Sequence, residues 1–189
     1  MTMYQEVKFY IWRILKMAWE IDATHSQVVF AVKHMVVSTA KGSFNVFRGS
    51  LNIDTETPSN SWVEAEADVA SLDTRDKNRD GHLLSPDFFD VEKYPTITFK
   101  STNVESVGGN DYKVTGDLTI HGVTKSVVFD AEYGGQVKDP YGLQRAGVNA
   151  HTKISRKDFG LTWSATLETG GLVLADDVKI EIELEAIVK

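Results

Sequence analysis

The stretch DKNRDGHLLSPD, Asp76 to Asp87, sets Asp76, Asn78 and Asp80 at alternate positions ahead of Gly81. That is the oxygen-ligand spacing of an EF-hand calcium loop, where a glycine permits the sharp turn around a hard cation. The last position departs from the pattern. Asp87 stands where a bidentate Glu is needed, one methylene shorter, and Lys77 and Arg79 put positive charge inside the loop. An EF-hand is also entered by a helix, whereas Val63, Ala65, Ala67 and Val69 upstream alternate as a strand does. Calcium or magnesium held by Asp76, Asn78, Asp80 and Asp87 is therefore kept only as a subordinate alternative. In the competing reading Ser85 caps a helix with Pro86 at its first position and Tyr94-Pro95 ends it, which predicts a short helical segment over about residues 81–93.

The other candidates for chemistry are histidines. His25, His34, His82, His121 and His151 fall on different segments, and no pair has the H-x-x-x-H spacing that brings two imidazoles to one metal. His121 sits between the alternating run GDLTI and Gly122, so it reads as a hairpin end. His121 or His34 acting as general acid or base on a bound ligand is the enzymatic alternative. Asp158-Phe159-Gly160 spells the kinase DFG triplet by chance, because neither a glycine-rich phosphate loop nor an H-R-D loop accompanies it. No G-x-S-x-G elbow, Walker loop or H-E-x-x-H occurs, and there is no cysteine to serve as nucleophile, thiolate ligand or disulfide partner. Nothing here specifies a reaction, so the expectation is a chain with no catalytic residues, no metal and no cofactor. A formal net charge of -7 without any Lys/Arg run gives no field to attract nucleic acid.

The elements that must position these residues are strands. At 189 residues, 42% hydrophobic and 25% charged, the chain can bury the core of one domain. From Trp19 onward apolar side chains recur with period two, as in Val28-Phe30-Val32, Phe44-Val46, Tyr112 to Ile120 and Val178 to Val188. GGND at Gly108 to Asp111, HGVTK at His121 to Lys125 and DPYG at Asp139 to Gly142 supply turn chemistry between runs. About eight strands with short connections predict an all-β, antiparallel up-and-down barrel, a two-sheet sandwich being the structural alternative. Such a barrel is filled by side chains or holds one small ligand. Ala31, Ala65, Ala67, Gly116, Ala131 and Gly147 beside Phe30, Phe44, Phe99 and Phe129 suit a long apolar tunnel or a dense core equally. Residues 1–17 differ. Met3, Val7, Tyr10, Ile11, Ile14 and Leu15 form one helical stripe that continues to Ala18, so this stretch reads as an N-terminal helical extension that packs on the domain, or touches a membrane surface. Met17 is a second candidate start. The extension has neither a signal-peptide core nor a membrane span, so the chain as written is expected in the cytoplasm.

The order of motifs resembles the YceI-like family over residues 18 to 188. The residues that carry the likeness are WEID-x-x-HS-x-V-x-F-x-VKH, G-x-F-x-x-F-x-G-x-L, RD-x-HLLSPDFFD-x-x-x-YP-x-ITF-x-S, Y-x-V-x-GDLTIHGVTK-x-V and R-x-DFGL-x-W. The resemblance implies an eight-stranded antiparallel barrel of lipocalin-like shape over residues 18–189. It implies an elongated apolar cavity that in several members holds a polyisoprenoid or related lipid, and binding rather than catalysis. It also implies a periplasmic location, from which the charged N-terminal stretch departs. The expected function is non-enzymatic binding, storage or transport of a long-chain apolar lipid of polyisoprenoid or polyprenyl quinone type. Cavity walls are expected from Phe30, Val32, Phe44, Val46, Phe99, Leu118, Ile120, Phe129 and Trp163, with Leu83, Leu84, Phe88 and Phe89 as lid or rim. Expected partners are that lipid, transient contact with a membrane surface, and a second copy in a homodimer.

Overall fold

The computed structural model describes residues 18–35, 37–165 and 173–188, so the helix expected over residues 1–17 lies outside the described residues. Strand β1 (Trp19–Ile21) and β2 (Gln27–His34) both run against β11 (Leu174–Ile187), as two halves of one interrupted strand. β3 (Ser38–Phe44) and β4 (Phe47–Asn52) are a second interrupted strand, pairing with β2 and β1 respectively. β5 (Trp62–Asp68), β7 (Thr96–Gly108), β8 (Asp111–Ile120), β9 (Val123–Lys138) and β10 (Gln144–Ser155) then follow side by side to β11, every pair antiparallel. Because β1 pairs with both β4 and β11, the sheet closes into a barrel of eight strands when each interrupted strand is taken as one. The two-residue β6 (Leu72–Asp73) adds to the end of β3. Closure satisfies the hydrogen bonds that open sheet edges would leave to solvent.

Period two sets the two faces. Along β8, Leu118 and Ile120 are buried and Tyr112 and Val114 half-buried, while Asp111, Lys113 and Asp117 are exposed. On β9, Phe129 and Ala131 are buried between exposed Val128, Asp130 and Glu132. Two glycines make room for aromatic rings laid across the interior: a methyl on Gly116 would stand 2.5 Å from the Phe99 ring, and one on Gly42 would overlap the Phe30 ring. Ala31 and Gly147 leave the inward set. Ala31 pairs with Lys41 and Lys179 on the outer face, and Gly147 lies at a bulge opposite Gly135 with open space where a side chain would be. The turn His121-Gly122 has positive φ at both positions, 52° and 72°, the two-residue geometry that matches strand twist.

The short helix is present but earlier in the chain than residues 81–93. Helix α1 spans Lys77–Leu84, with the Asp76 carboxylate accepting hydrogen bonds from the Asn78 and Arg79 amides as its N-cap. Ser85 is the C-cap, and residues 86–89 and 91–93 form turns. The aspartate that opens the calcium-like motif is therefore a better cap than Ser85, and Pro86 follows the helix as a stop. Leu83, Leu84 and Phe89 pack against the buried cluster of Phe44, Phe47, Ala67 and Leu72, so α1 and its following turns close one end of the barrel. The opposite end is formed by the β4–β5 connection, with its 3₁₀ turn Pro58–Asn60, and by the hairpins at residues 108–111 and 139–143.

Candidate functional site

A cavity of about 300 Å³ runs inside the barrel, lined from one end to the other by side chains of β1 to β5 and β7 to β11. That volume falls at the lower bound of the roughly 300–1,000 Å³ usual for ligand sites. The walls are almost wholly apolar, with Val28, Phe30 and Val32 of β2 facing Leu118, Phe129 and Ile154 of the far strands. Aromatic rings pair along them: Phe30 with Phe44 at 5.6 Å, Phe44 with Phe89 at 6.0 Å and Phe99 with Phe129 at 5.2 Å between centroids.

The two ends of the cavity differ. At the α1 end the lining is Leu83, Phe88, Phe89, Arg156, Phe159, Leu161 and Leu174, none of them exposed. Arg156 is 3% exposed. Its Nε donates to the Ala175 carbonyl at 3.0 Å, Nη1 to the carbonyls of Leu161 and Trp163 at 2.6 and 2.7 Å, and Nη2 to the Leu174 carbonyl at 3.4 Å and Asp176 Oδ1 at 3.1 Å. Those contacts use all five donors of a guanidinium. Burial pushes the Arg156 guanidinium below its usual range, opposed by the Asp176 charge. At the other end the lining turns polar, with Asn52, Asp54, Thr55, Ser61, Trp62, Tyr112 and Tyr133. Thr55 is the one exposed lining residue among those described, so the cavity reaches solvent there.

Of the residues expected in the walls, Phe30, Val32, Phe44, Phe99, Leu118, Ile120 and Phe129 line the cavity, as do Leu83, Phe88 and Phe89 at its end. Three do not. Val46 is 50% exposed, because the chain breaks between β3 and β4 and both Phe44 and Phe47 turn inward around it. Leu84 packs on the Phe44–Leu72 cluster behind the lining. Trp163 lies outside, its ring 5.0 Å from His82 and 5.3 Å from Phe88 in an aromatic triangle. Sequence reasoning missed Phe47, for want of any signal of the strand break. It also missed Tyr112 and Tyr133, whose period-two registers with Leu118 and Phe129 are the signal that could have found them.

The groups that suggested chemistry do not converge on the cavity. Asp76 caps α1, Asp80 Oδ1 accepts from the Thr74 amide and hydroxyl at 2.9 and 2.5 Å, and Asp87 lies 3.5 Å from His82 Nε2. Their oxygens form no common metal group among the described residues. His121 meets Tyr94 edge to face, ring centroids 4.5 Å apart, and neither it nor His34 lines the cavity. Asp22, His25 and Glu185 do bring one ligand atom each within 4.8 Å of the others. Arg145 already occupies that group, bonded to Glu185, to Asp22 at 3.0 Å and to Asp139 at 2.8 Å. The hydrogen bond with His25, then that from Arg145, hold the Asp22 carboxyl down at about 2.

A family model described as YceI-like domain matches residues 19–186. A UPF0312 protein of Vibrio cholerae is 44% identical over 142 residues, 75% of each chain, and one of Photorhabdus laumondii is 44% identical over 140 residues, 74% of this chain and 72% of the other. The crystal structure of Burkholderia cenocepacia BcnA superposes with a TM-score of 0.78 at 27% identity, covering 87% of this chain and 98% of that one. The Campylobacter jejuni YceI protein gives 0.72 at 35% identity over 83% and 90%. A polyisoprenoid-binding domain from Saccharophagus degradans shares the fold, with a TM-score of 0.69 at 19% identity over 92% and 100%.

Proposed function

The chain belongs to the YceI-like domain family, and from that premise we propose that its barrel binds a long-chain apolar lipid, of polyisoprenoid or polyprenyl quinone type, and stores or carries it without transforming it. The observation that carries this reading is the continuous apolar cavity from α1 to the β4–β5 connection. The Saccharophagus domain of the same fold is described by what it binds, a polyisoprenoid, which supports the same class of ligand. Burying a methylene contributes about 0.8 kcal/mol, so a five-carbon isoprene unit contributes up to about 4 kcal/mol. Association costs roughly 4–15 kcal/mol, which a few buried units offset. Rows of branched and aromatic side chains fit a methyl-branched chain, and away from the polar end the charged lining residues among those described, Glu66 and Arg156, are engaged by Arg48 and by backbone carbonyls with Asp176.

Gentle organic extraction of the purified protein followed by mass spectrometry tests the reading. A long-chain prenyl lipid in near-stoichiometric amount is the expected result. An extract free of such lipid, together with no rise in melting temperature on adding prenyl lipids, would remove the proposal.

A further inference from the structure

We propose that the cavity takes its lipid with an uncharged oxygen headgroup, a carbonyl or hydroxyl, held at the β4–β5 end by the phenols of Tyr112 and Tyr133. This rests on the lipid-carrier reading and deepens it by fixing the headgroup's chemistry and the direction in which the chain enters.

Among the described residues the α1 end offers a headgroup no free donor. Its one cationic lining group among the described residues, Arg156, has every donor bound to Leu161, Trp163, Leu174, Ala175 or Asp176, and Glu66, the other charged lining residue away from the polar end, is paired with Arg48. The remaining lining there is aliphatic or aromatic and unexposed. The opposite end is different. Tyr112 and Tyr133 stand on neighbouring strands, on the same inward face as Val114 and Ala131, and both line the cavity. Neither phenol hydroxyl makes a hydrogen bond to another described residue. Burial pushes the Tyr133 phenol up, and nearby Tyr112 adds to this, so it remains a protonated donor at neutral pH. Two donors at the wet end of an apolar tube match an oxygen acceptor on the last atoms of a chain whose tail points toward α1.

Charge at this end discriminates among headgroups. Among the described residues no Lys or Arg other than Arg156 lines the cavity, and the acid at the polar end, Asp54, is tied by the Glu56 and Thr57 amides and the Asn60 amide group. A phosphate drawn into this site would lose water and gain no cation, an unfavourable exchange for an ionised group. A quinone carbonyl loses little water and gains a phenol.

Equilibrium binding of three probes to the full chain and to its Tyr112→Phe, Tyr133→Phe and double variants tests the assignment. The probes are an octaprenyl benzoquinone, octaprenyl monophosphate and squalene, a hydrocarbon with no headgroup. Expected results are quinone binding at least about tenfold tighter than phosphate, and a loss of about fivefold in quinone affinity per hydroxyl removed, with squalene affinity unchanged. Squalene bound equally by all variants also shows that each has folded with its cavity intact. If squalene binds but the phosphate matches the quinone, or if the double variant holds the quinone as the parent does, the headgroup assignment is overturned while the carrier reading stands. If none of the three probes binds, the carrier reading falls and this inference with it.

Discussion

Arg156 and Arg145 show how differently a cation acts inside and outside this barrel. Arg156 reaches from the 3₁₀ turn Arg156–Phe159 to the carbonyls of Leu161, Trp163, Leu174 and Ala175, which tie the end of β10 to the start of β11. Replacing it by Met leaves buried carbonyl oxygens without donors, and the expected loss is about 3–5 kcal/mol in urea unfolding. A loss below about 1 kcal/mol would mean that water takes over its bonds. Arg145 instead gathers Asp22, Asp139 and Glu185 at the barrel's polar end and holds the Asp139 carboxyl below its usual range. Asp22, its carboxyl held down at about 2, below the usual carboxylate range, contributes stability that is fully present above about pH 4 and is lost as pH falls toward 2. The urea midpoint of the parent should therefore drop more steeply between pH 5 and about pH 2 than that of Asp22→Asn. Parallel acid limbs for the two proteins would remove Asp22 from the account.

Strands make the cavity by what they leave out. Phe99 lies over Gly116 on the adjacent strand, so a methyl group there meets both the ring and the Lys100 carbonyl oxygen at 2.5 Å and must displace the ring and the neighbouring backbone. Gly116→Ala is expected to cost about 1–3 kcal/mol in unfolding and to weaken prenyl-lipid binding by narrowing the tube. An unchanged melting curve with unchanged binding would show that the wall yields outward instead. Much of this was legible in the sequence. Alternation over Tyr112 to Ile120 and Val178 to Val188, with glycine-bearing turns between runs, is dictated by one wet and one dry face, so local pattern reveals both strand and facing. The interruption between β3 and β4 was not legible, because two phenylalanines three residues apart, Phe44 and Phe47, satisfy no single strand register, and only pairing with β6 and β5 fixes the slip. Helix α1 was displaced in the reading for a related reason. Asp76 and Ser85 are both good caps, and what favours Asp76 is a tertiary knot in which Arg79 and Asp80 grip the buried Thr74. The split between a filled core and a hollow one was also out of reach, since the same Phe, Val and Ala serve either, and ring placement across distant strands decides it.

At the scale of the whole molecule, closure and cavity oppose each other energetically. Ring closure through β1 pairs every neighbouring strand, yet the side chains at its centre face empty volume and forgo the dispersion contacts a packed core would give them. A lipid that fills the tube restores those contacts only in the folded state, so its binding energy is added to folding stability. With free prenyl lipid at 100 times its dissociation constant the gain is about 2.7 kcal/mol. For a domain of this size each kcal/mol moves the melting temperature by about 2–4 °C, so the loaded protein should melt about 5–10 °C above the delipidated one. Scanning calorimetry on protein stripped by organic solvent, refolded, and titrated with an octaprenyl quinone measures this directly. The rise should track the logarithm of free lipid once the site is filled, because each further increment acts by mass action on the folded state alone. A melting temperature indifferent to the lipid would mean that the cavity walls pack no better around a prenyl chain than around nothing, and the hollow interior would then need a different occupant.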